Sequence, residues 1–214
     1  MMNNVGVSLF ERRRPSKLNT VINVILVLLV IILAVEIAFN SRYTSIYVDG
    51  RSMLPTLIGA DDGVNGDYVF VNTKISPGYG DIVVVEPQNR TDYNIIKRVV
   101  AFGGDTVKIE EGILYIMYAG SEEFEAVKED YIFHEYNDGN KRVNNYPEHT
   151  VAEGKMFLLG DNRNESADSR INGDYSLDDL VGVVPQWSLD KKSEITAIFT
   201  FIKRKLPQAL GFRV

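Results

Sequence analysis

Three short stretches of this sequence carry side chains that could act together in nucleophilic catalysis. In the first, Asp49–Leu57, Ser52 is followed by Pro55. Pro55 fixes its own φ and pushes Leu54 away from helical geometry, so Ser52 is expected on a stiff, extended turn. A serine held in this way is a candidate nucleophile, although Ser-x-x-Pro alone also fits an ordinary surface turn.

The second stretch supplies a candidate base, which a serine hydroxyl needs because it is a weak nucleophile at neutral pH. Cysteine is absent, and the two histidines, His134 and His149, lie in a polar segment without a ligand or triad pattern. Lys97 and Arg98, by contrast, form a charged pair inside the apolar run 94–102. In an alternating strand they point to opposite faces, so one of them is expected to be buried.

Burial is the property that would make Lys97 a base. An unperturbed lysine has a pKa of about 10.4, and apolar surroundings can lower that pKa by up to about 3–5 units. A fall of about three units would leave a useful fraction of neutral amine near pH 7. The alternative is that the Lys97 stem packs on the sheet while the amine reaches water.

The third stretch, Gly160–Arg170, is dense in groups that fix geometry. Alternating carboxylates and arginines indicate ion pairs that hold a tight loop, with hydroxyls left to orient an amine. The polar residues of this loop are Asp161, Asn162, Arg163, Ser166, Asp168, Ser169 and Arg170. A calcium loop is disfavoured because two arginines would lie among its ligands. Asn164-Glu165-Ser166 also matches the glycosylation sequon, which is a weak three-residue match.

An apolar run upstream of Ser52 is the first element that would position these groups. Residues 21–39 are interrupted only by Asn23 and Glu36, and a helix of that length spans roughly 29 Å, the hydrocarbon thickness of a bilayer. The run predicts a transmembrane helix; a cleaved signal peptide is the alternative, but its apolar core is usually shorter. Basic residues before the run place residues 1–20 in the cytoplasm and residues 40–214 outside.

The rest of the chain reads as short strands separated by Gly, Pro, Asn and Asp, so the fold class is mainly β. The predicted strands are 67–73, 81–86, 93–102, 106–111, 113–118, 155–160 and 181–184. Glu111-Gly112 predicts a hairpin between two of them. Residues 119–154 are polar and are expected to form an insertion or small lobe. After Trp187 we favour a closing strand with a tail over an amphipathic element resting on anionic headgroups.

Composition excludes several classes of function. Residues 41–214 contain 19 basic and 27 acidic residues, a net charge of −8, whereas a duplex nucleic-acid footprint needs a basic face. The absence of cysteine excludes a thiolate zinc site and a cysteine nucleophile. We therefore expect no nucleic-acid partner, no metal and no cofactor.

Together the three stretches resemble the type I signal peptidases, membrane-bound serine proteases that use a Ser–Lys dyad. Residues 50–57 are similar to the nucleophile box of that family, and residues 160–170 to its third box. Lys97-Arg98-Val99 with Gly103-Gly104-Asp105 resembles the general-base box, and residues 80–84 match a further run. The resemblance covers roughly residues 15 to 186 and looks more like the Gram-positive members.

The resemblance implies a role for each site residue. Ser52 would attack the scissile carbonyl, Lys97 would act as general base and then acid, and Ser166 would orient the Lys97 amine. Some members carry a serine two residues before the nucleophile as an oxyanion donor, where this chain has Gly50. Oxyanion stabilisation would then rest on the backbone N–H of Ser52 and a second donor.

Two ion pairs are also implied, Arg98 with Asp161 and Asp168 with Arg170, which would hold the third box against the strand that carries the base. The family usually has proline where this chain has Gly103, so a looser turn is expected there.

The implied fold has two antiparallel sheets that bind the substrate in extended form. The implied partners are secreted preproteins with signal peptides and the lipid bilayer, at the outer surface of the plasma membrane. A related Ser–Lys protease with a narrow substrate range and an inactive membrane-tethered binding module are the alternatives, and the oligomeric state is left open.

Overall fold

The computed structural model describes residues 16–61, 65–87, 94–132 and 145–209, with side chains as far as residue 203. The chain divides into two compact units between Ser41 and Arg42. The first unit contains α1 (Lys17–Asn40), which begins where the Ser16 hydroxyl accepts a hydrogen bond from the Asn19 N–H at 3.2 Å. By length and composition, this helix of 24 residues is able to cross a membrane.

The described part of the second unit contains eleven strands. They are β1 (Tyr43–Tyr47), β2 (Tyr68–Asn72), β3 (Ile82–Val85), β4 (Ile95–Phe102), β5 (Thr106–Glu110), β6 (Ile113–Met117), β7 (Glu125–Ala126), β8 (Tyr146–Thr150), β9 (Lys155–Leu159), β10 (Tyr175–Ser176) and β11 (Leu180–Val183). A seven-stranded sheet has the order β1-β2-β11-β3-β4-β9-β10, and a four-stranded sheet has the order β7-β6-β5-β8. The paired strands run antiparallel, so the expected fold class, mainly β with two antiparallel sheets, is confirmed.

The predicted hairpin joins β5 to β6 at Glu111 and Gly112. Their φ angles are 51° and 82°, the left-handed values that a two-residue turn of this kind requires. Glycine adopts such values without strain, which is why Glu-Gly works as a turn signal at this position.

Three buried clusters of described residues hold the second unit together, and two of them bear on the position of the site. The first lies on the seven-stranded sheet and includes Met53 and Leu57, which are 1% and 0% exposed. These side chains fix the turn that follows Ser52, and burying each is worth roughly 1.5–3 kcal/mol. The second cluster joins the two sheets, with Phe157 and Leu159 from β9 packing with Val107 of β5.

Short helical segments complete the second unit. α2 (Ser169–Asn172) follows a 3₁₀ turn, Arg163–Glu165, and a second 3₁₀ turn, Leu177–Asp179, precedes β11. Two further helices, α3 (Gln186–Asp190) and α4 (Lys192–Ala209), end the described chain.

The closing strand favoured after Trp187 is wrong, because that segment is helical. Its β-branched residues suit a strand, but Ile195 and Phe199 are four residues apart and so lie on one helical face. Ile195 is 7% exposed, and Phe199 stacks on Tyr68 of β2 with ring centroids 4.7 Å apart. Packing of these two side chains against the sheet therefore favours a helix over a strand in this segment.

The polar segment 119–154, predicted to be an insertion or small lobe, contributes two strands in its described parts. Its described ends form β7 and β8 and complete the four-stranded sheet. Val151 and Glu129 are also buried, with 1% and 8% exposure. Cross-strand pairing with β5 and β6 brings these polar sequences into the fold, which their composition does not reveal. Residues 133–144, including His134, lie outside the described residues.

Candidate active site

Ser52 and Lys97 meet at one point although they lie 45 residues apart in the sequence. Lys97 Nζ is 2.7 Å from Ser52 Oγ, and it also donates a hydrogen bond to the Ile96 carbonyl at 2.8 Å. The amine comes from β4, within the seven-stranded sheet, and the hydroxyl from the turn that packs on that sheet. The pair therefore has the distance that proton transfer between a nucleophile and its base requires.

The Lys97 ammonium is destabilised by its surroundings. Lys97 is 5% exposed, and this burial lowers its pKa to about 8 against the opposing influence of the Asp168 and Asp161 carboxylates, which raise the pKa. With a pKa near 8, roughly one lysine in ten is neutral at pH 7, compared with fewer than about one in a thousand for a free lysine. The site therefore holds a useful population of neutral amine.

Arg98 is buried as well, with 9% exposure, so both members of the charged pair lie inside the protein rather than one. Its guanidinium donates two hydrogen bonds to Asp161, at 2.8 and 2.6 Å, and a third to the Gly80 carbonyl at 2.6 Å. Asp161 Oδ2 also accepts a hydrogen bond from the Thr56 hydroxyl at 2.5 Å. This carboxylate thus connects the strand of the base with the turn of the nucleophile.

Asp168 caps α2 and pairs with Arg170 through two hydrogen bonds of 2.8 Å. Its carboxylate also accepts the Gly160 N–H at 3.0 Å. Burial alone would raise the pKa of Asp168, but the Arg170 guanidinium and the Gly160 N–H outweigh burial and hold that pKa below its ordinary value. The carboxylate therefore stays ionised and fixes the shape of the loop.

Ser166 lies inside the same loop, 8% exposed. Its hydroxyl is one of the groups that lower the pKa of Asp168, but among the described residues it makes no hydrogen bond of normal geometry. A Cβ at Gly160 would come within 2.3 Å of Ser166 Oγ and 2.5 Å of the Ser52 carbonyl oxygen. Gly160 is thus required by the close approach of both serines to the backbone at that point.

Asn162 joins the third box directly to the nucleophile. Its backbone N–H donates to the Ser52 carbonyl at 3.0 Å, and its side-chain amide donates to the Arg51 carbonyl at 3.2 Å. Gly50, two residues before Ser52, has a φ of 75°, a value that L residues with side chains rarely adopt. Glycine, rather than the serine that some members of the resembled family carry, therefore suits the backbone conformation at position 50.

Sequence reasoning missed a second set of supports. Arg163 and Glu129 form a buried ion pair, with Nη1 donating to Oε2 at 3.0 Å and a further contact between Nη2 and Oε1. The Tyr131 hydroxyl donates to Glu129 at 2.7 Å, and the Arg98 guanidinium lies 3.8 Å from the centre of the Tyr131 ring. Glu129 comes from a polar segment without periodicity, so no local signal identifies its partner.

Lys192, at the start of α4, is a further support that the sequence did not reveal. Its amine donates to the Thr56 carbonyl at 2.6 Å and lies 3.3 Å from Asp67 Oδ2. Asp67 in turn accepts the Ile58 N–H at 2.8 Å. The first turn of the C-terminal helix is therefore bonded to the turn that carries Ser52.

A cleft of about 510 Å³ opens at the pair. It is bounded by the end of β1 with the residues that follow, by the start of β4 and by part of the third box. Its lining residues include Ile46, Val84, Ile95 and Ile96 on the apolar side, and Asp49, Arg51, Asn94 and Glu165 on the polar side. A substrate in extended form could therefore reach Ser52 with part of its length on apolar walls.

The histidine that the structure describes lies away from the pair. His149 Nε2 is 2.7 Å from Asp174 Oδ1, in a half-buried contact at β8. In the described parts of the chain, no three His, Asp or Glu side chains converge in a way that could hold a metal ion.

Comparison with known proteins identifies relatives of this chain. The family model for signal peptidases of the S26 peptidase family matches residues 19–188. The chain is 33% identical over 150 residues to a probable signal peptidase I-1 from Synechocystis, a match that covers 64% of this chain and 66% of that protein. It is 32% identical over 154 residues to signal peptidase I P from Bacillus subtilis subsp. natto, covering 67% of this chain and 75% of that protein. A crystal structure of a signal peptidase I from Enterococcus faecalis is 29% identical and matches 52% of this chain and 98% of that one, with a TM-score of 0.42.

Proposed function

Because the chain belongs to the S26 family of signal peptidases, we propose that it cleaves signal peptides from secreted preproteins, with Ser52 as nucleophile and Lys97 as general base. The observation that carries this assignment is the 2.7 Å contact between Ser52 Oγ and Lys97 Nζ. It is supported by the burial that lowers the pKa of Lys97 to about 8.

The reaction begins with the neutral Lys97 amine. Its lone pair accepts the proton of the Ser52 hydroxyl while Oγ bonds to the scissile carbonyl carbon, which gives a tetrahedral oxyanion and a lysine ammonium. The ammonium returns its proton to the departing amine as the peptide bond breaks, leaving an acyl ester on Ser52. Water then attacks the ester, Lys97 accepts one water proton and returns it to Ser52 Oγ, and the mature amino terminus and the signal peptide are both free.

The supporting residues act on geometry rather than on the reacting atoms. The buried Ser166 hydroxyl, which lacks a partner of normal geometry among the described residues, is proposed to orient the Lys97 amine. The pairs of Arg98 with Asp161 and of Asp168 with Arg170 hold the third box in place. The backbone N–H of Ser52 is proposed as one oxyanion donor, since a rigid turn fixes its direction.

The proposal also includes the orientation of the chain in the plasma membrane. Helix α1 is proposed to span the plasma membrane once, with the basic amino terminus in the cytoplasm and residues 40–214 outside. A protease held at the outer surface would meet preproteins as they emerge, where their signal segments end.

Ser52→Ala and Lys97→Ala test the assignment in purified full-length protein acting on a preprotein. Each should lower kcat/KM by at least about 10⁴-fold, because the nucleophile and its base act as one unit. Ser121→Ala and Lys128→Ala are matched controls, since both residues are exposed and should leave kcat/KM unchanged. Unchanged thermal unfolding of the two site variants would show that they remain folded, and retained turnover in either would disprove the dyad.

A panel of unrelated preproteins separates general from narrow processing. Cleavage of most of the panel after the signal segment is the expected result, and cleavage of a single member would indicate a specialised protease. Labelling of Ser52, but not of the Lys97→Ala variant, by a serine-acylating inhibitor would exclude an inactive binding module.

A further inference from the structure

Helix α4 has an apolar face that is exposed to solvent. Ile198, Phe201 and Ile202 are 58%, 64% and 45% exposed. Their spacing of three and four residues places them on one side of the helix. α4 also begins after residue 188, where the family match ends, so this face lies outside the residues that the family model matches.

A different side of α4 already holds the helix on the protein. Ile195 is buried, the Thr196 hydroxyl accepts the Tyr68 N–H at 2.7 Å, and Phe199 stacks on Tyr68. The exposed apolar residues are therefore not needed to attach the helix to β2, and they leave a hydrophobic stripe in contact with solvent.

Positive charge accompanies this stripe in an otherwise acidic chain. Residues 191–214 contain six basic residues and one acidic residue, a net charge of +5, whereas residues 41–214 together carry −8. Lys191 and Lys203 are exposed, although the Lys203 ammonium lies 5.4 Å from the centre of the Tyr47 ring of β1. The sequence continues with Arg204 and Lys205. An amphipathic helix with aliphatic and aromatic residues on one face and lysines beside them is the pattern of elements that lie in the interface of anionic membranes.

Aromatic rings extend the surface beside the helix. Trp187 is 39% exposed and packs on Phe70, with ring centroids 5.7 Å apart, and Phe70 lies 6.0 Å from Phe199 of α4. Tryptophan and tyrosine are enriched where proteins meet the headgroup layer. A partly exposed tryptophan therefore lies near α4, next to the side of the helix that packs on β2.

We propose that α4 docks the catalytic unit on an anionic lipid surface, with Ile198, Phe201 and Ile202 inserted among the acyl chains and the basic residues against the headgroups. This is a membrane contact separate from α1. Lys192 of the same helix donates a hydrogen bond to the turn that carries Ser52. Docking of the helix on lipid would therefore also stabilise the position of this turn. The proposal does not depend on the identity of the cleaved substrate.

The absence of cysteine allows a direct test in the full chain. Ile198→Cys carries an environment-sensitive fluorophore, and the protein is reconstituted in vesicles of phosphatidylcholine with or without phosphatidylglycerol. Ile113→Cys is the matched control, since it is a similarly exposed isoleucine (47%) on the four-stranded sheet. Quenchers attached to lipid chains report contact with the bilayer, and iodide reports contact with water.

The label at 198 should be quenched several-fold more strongly by the lipid-borne quencher than the label at 113, and more strongly with phosphatidylglycerol than without. Phe201→Ser with Ile202→Ser should reduce the ratio of docked to free helix by at least about tenfold, because two large apolar side chains are lost. Both side chains are exposed, so thermal unfolding should not change.

Three results would overturn the proposal. Equal access of iodide to both labels would show that the face remains in water. Shielding from iodide without lipid quenching would indicate a protein occupant, such as a second copy of the chain. Lipid quenching that is independent of phosphatidylglycerol would exclude recognition of anionic lipid.

Discussion

Lys97 has the properties that the proposed general base requires. Its amine is buried among β strands, contacts Ser52 Oγ, and has a pKa lowered to about 8 by desolvation. The neighbouring carboxylates of Asp168 and Asp161 oppose this shift. The balance leaves an amine that is neutral often enough to accept a proton and, once charged, acidic enough to return it.

The pH dependence of cleavage should follow this amine. Because the base must be neutral, kcat/KM should rise with pH below about 8 and level off above it. Asp168→Asn removes a charge that raises the pKa of Lys97, so the rising limb should move to lower pH. The measurement is a pH profile of kcat/KM on one preprotein.

His149→Gln is the control for this profile, because His149 is the histidine that the structure describes and it lies away from the pair, beside Asp174. It should leave the limb in place. A rising limb that His149→Gln abolishes would contradict the role of Lys97.

Ser166→Ala should separate stability from activity. The Ser166 hydroxyl helps to lower the pKa of the Asp168 carboxyl but makes no hydrogen bond of normal geometry among the described residues, so removing Oγ should change the melting temperature little. If that hydroxyl orients the Lys97 amine, kcat should nevertheless fall by at least about tenfold.

Ser169→Ala is the matched comparison three residues along the chain. Ser169 Oγ accepts the Leu158 N–H at 2.8 Å and is buried, so its loss should lower the melting temperature. Full activity of Ser166→Ala would refute the orienting role.

Ion pairs between distant segments hold the elements around the site. The buried pair of Arg163 with Glu129 joins the third box to the segment that follows β7. Tyr131 from that segment covers the guanidinium of Arg98. These contacts therefore stabilise both the loop that contains Ser166 and the strand that contains Lys97.

Glu129→Gln should destabilise the protein strongly, because it leaves the Arg163 charge buried without a carboxylate, a change worth about 3–5 kcal/mol. The measurement is the melting temperature of the full chain in detergent. Asp130→Asn is the control: its partner Lys128 forms an ion pair on the surface, with side chains 84% and 76% exposed, and such pairs contribute little. Equal melting temperatures for the two variants would show that the Glu129 carboxylate is not needed to stabilise the buried charge of Arg163.

At the scale of the whole molecule, the chain consists of a membrane-length helix and a compact β unit. The basic residues before residue 21 support the proposed cytoplasmic amino terminus, because the cytoplasmic flanks of membrane spans carry an excess of Lys and Arg. Such an arrangement would confine the proposed reaction to one side of the membrane.

Single cysteines test this arrangement, since the chain has none of its own. An impermeant maleimide should label Ile113→Cys in intact cells, and it should label Ser8→Cys only after the membrane is permeabilised. The reverse pattern would contradict the orientation. Loss of the Ser8→Cys label from the mature protein would show that the apolar run is a cleaved signal peptide.

The sequence by itself determined the features that depend on local composition and spacing. The mainly β class follows from short β-rich runs between turn residues, the β5–β6 hairpin from Glu111-Gly112, and the membrane-length helix from one apolar run. Ser52 and Lys97 also emerged as candidates, because their stretches together with the third one resemble the type I signal peptidases, although neither stretch is specific by itself.

Only the tertiary structure decided which groups meet and which are desolvated. Both Lys97 and Arg98 are buried, where alternation predicted one, because β4 lies in the interior of the seven-stranded sheet and the third box covers its charged pair. Glu129 forms an ion pair with Arg163, 34 residues away in the sequence, and Lys192 donates a hydrogen bond to the Thr56 carbonyl, 136 residues away. α4 is helical because packing on β2 outweighs its β-branched composition. Burial and ion pairing depend on residues distant in the sequence, so they become visible only once the chain has folded.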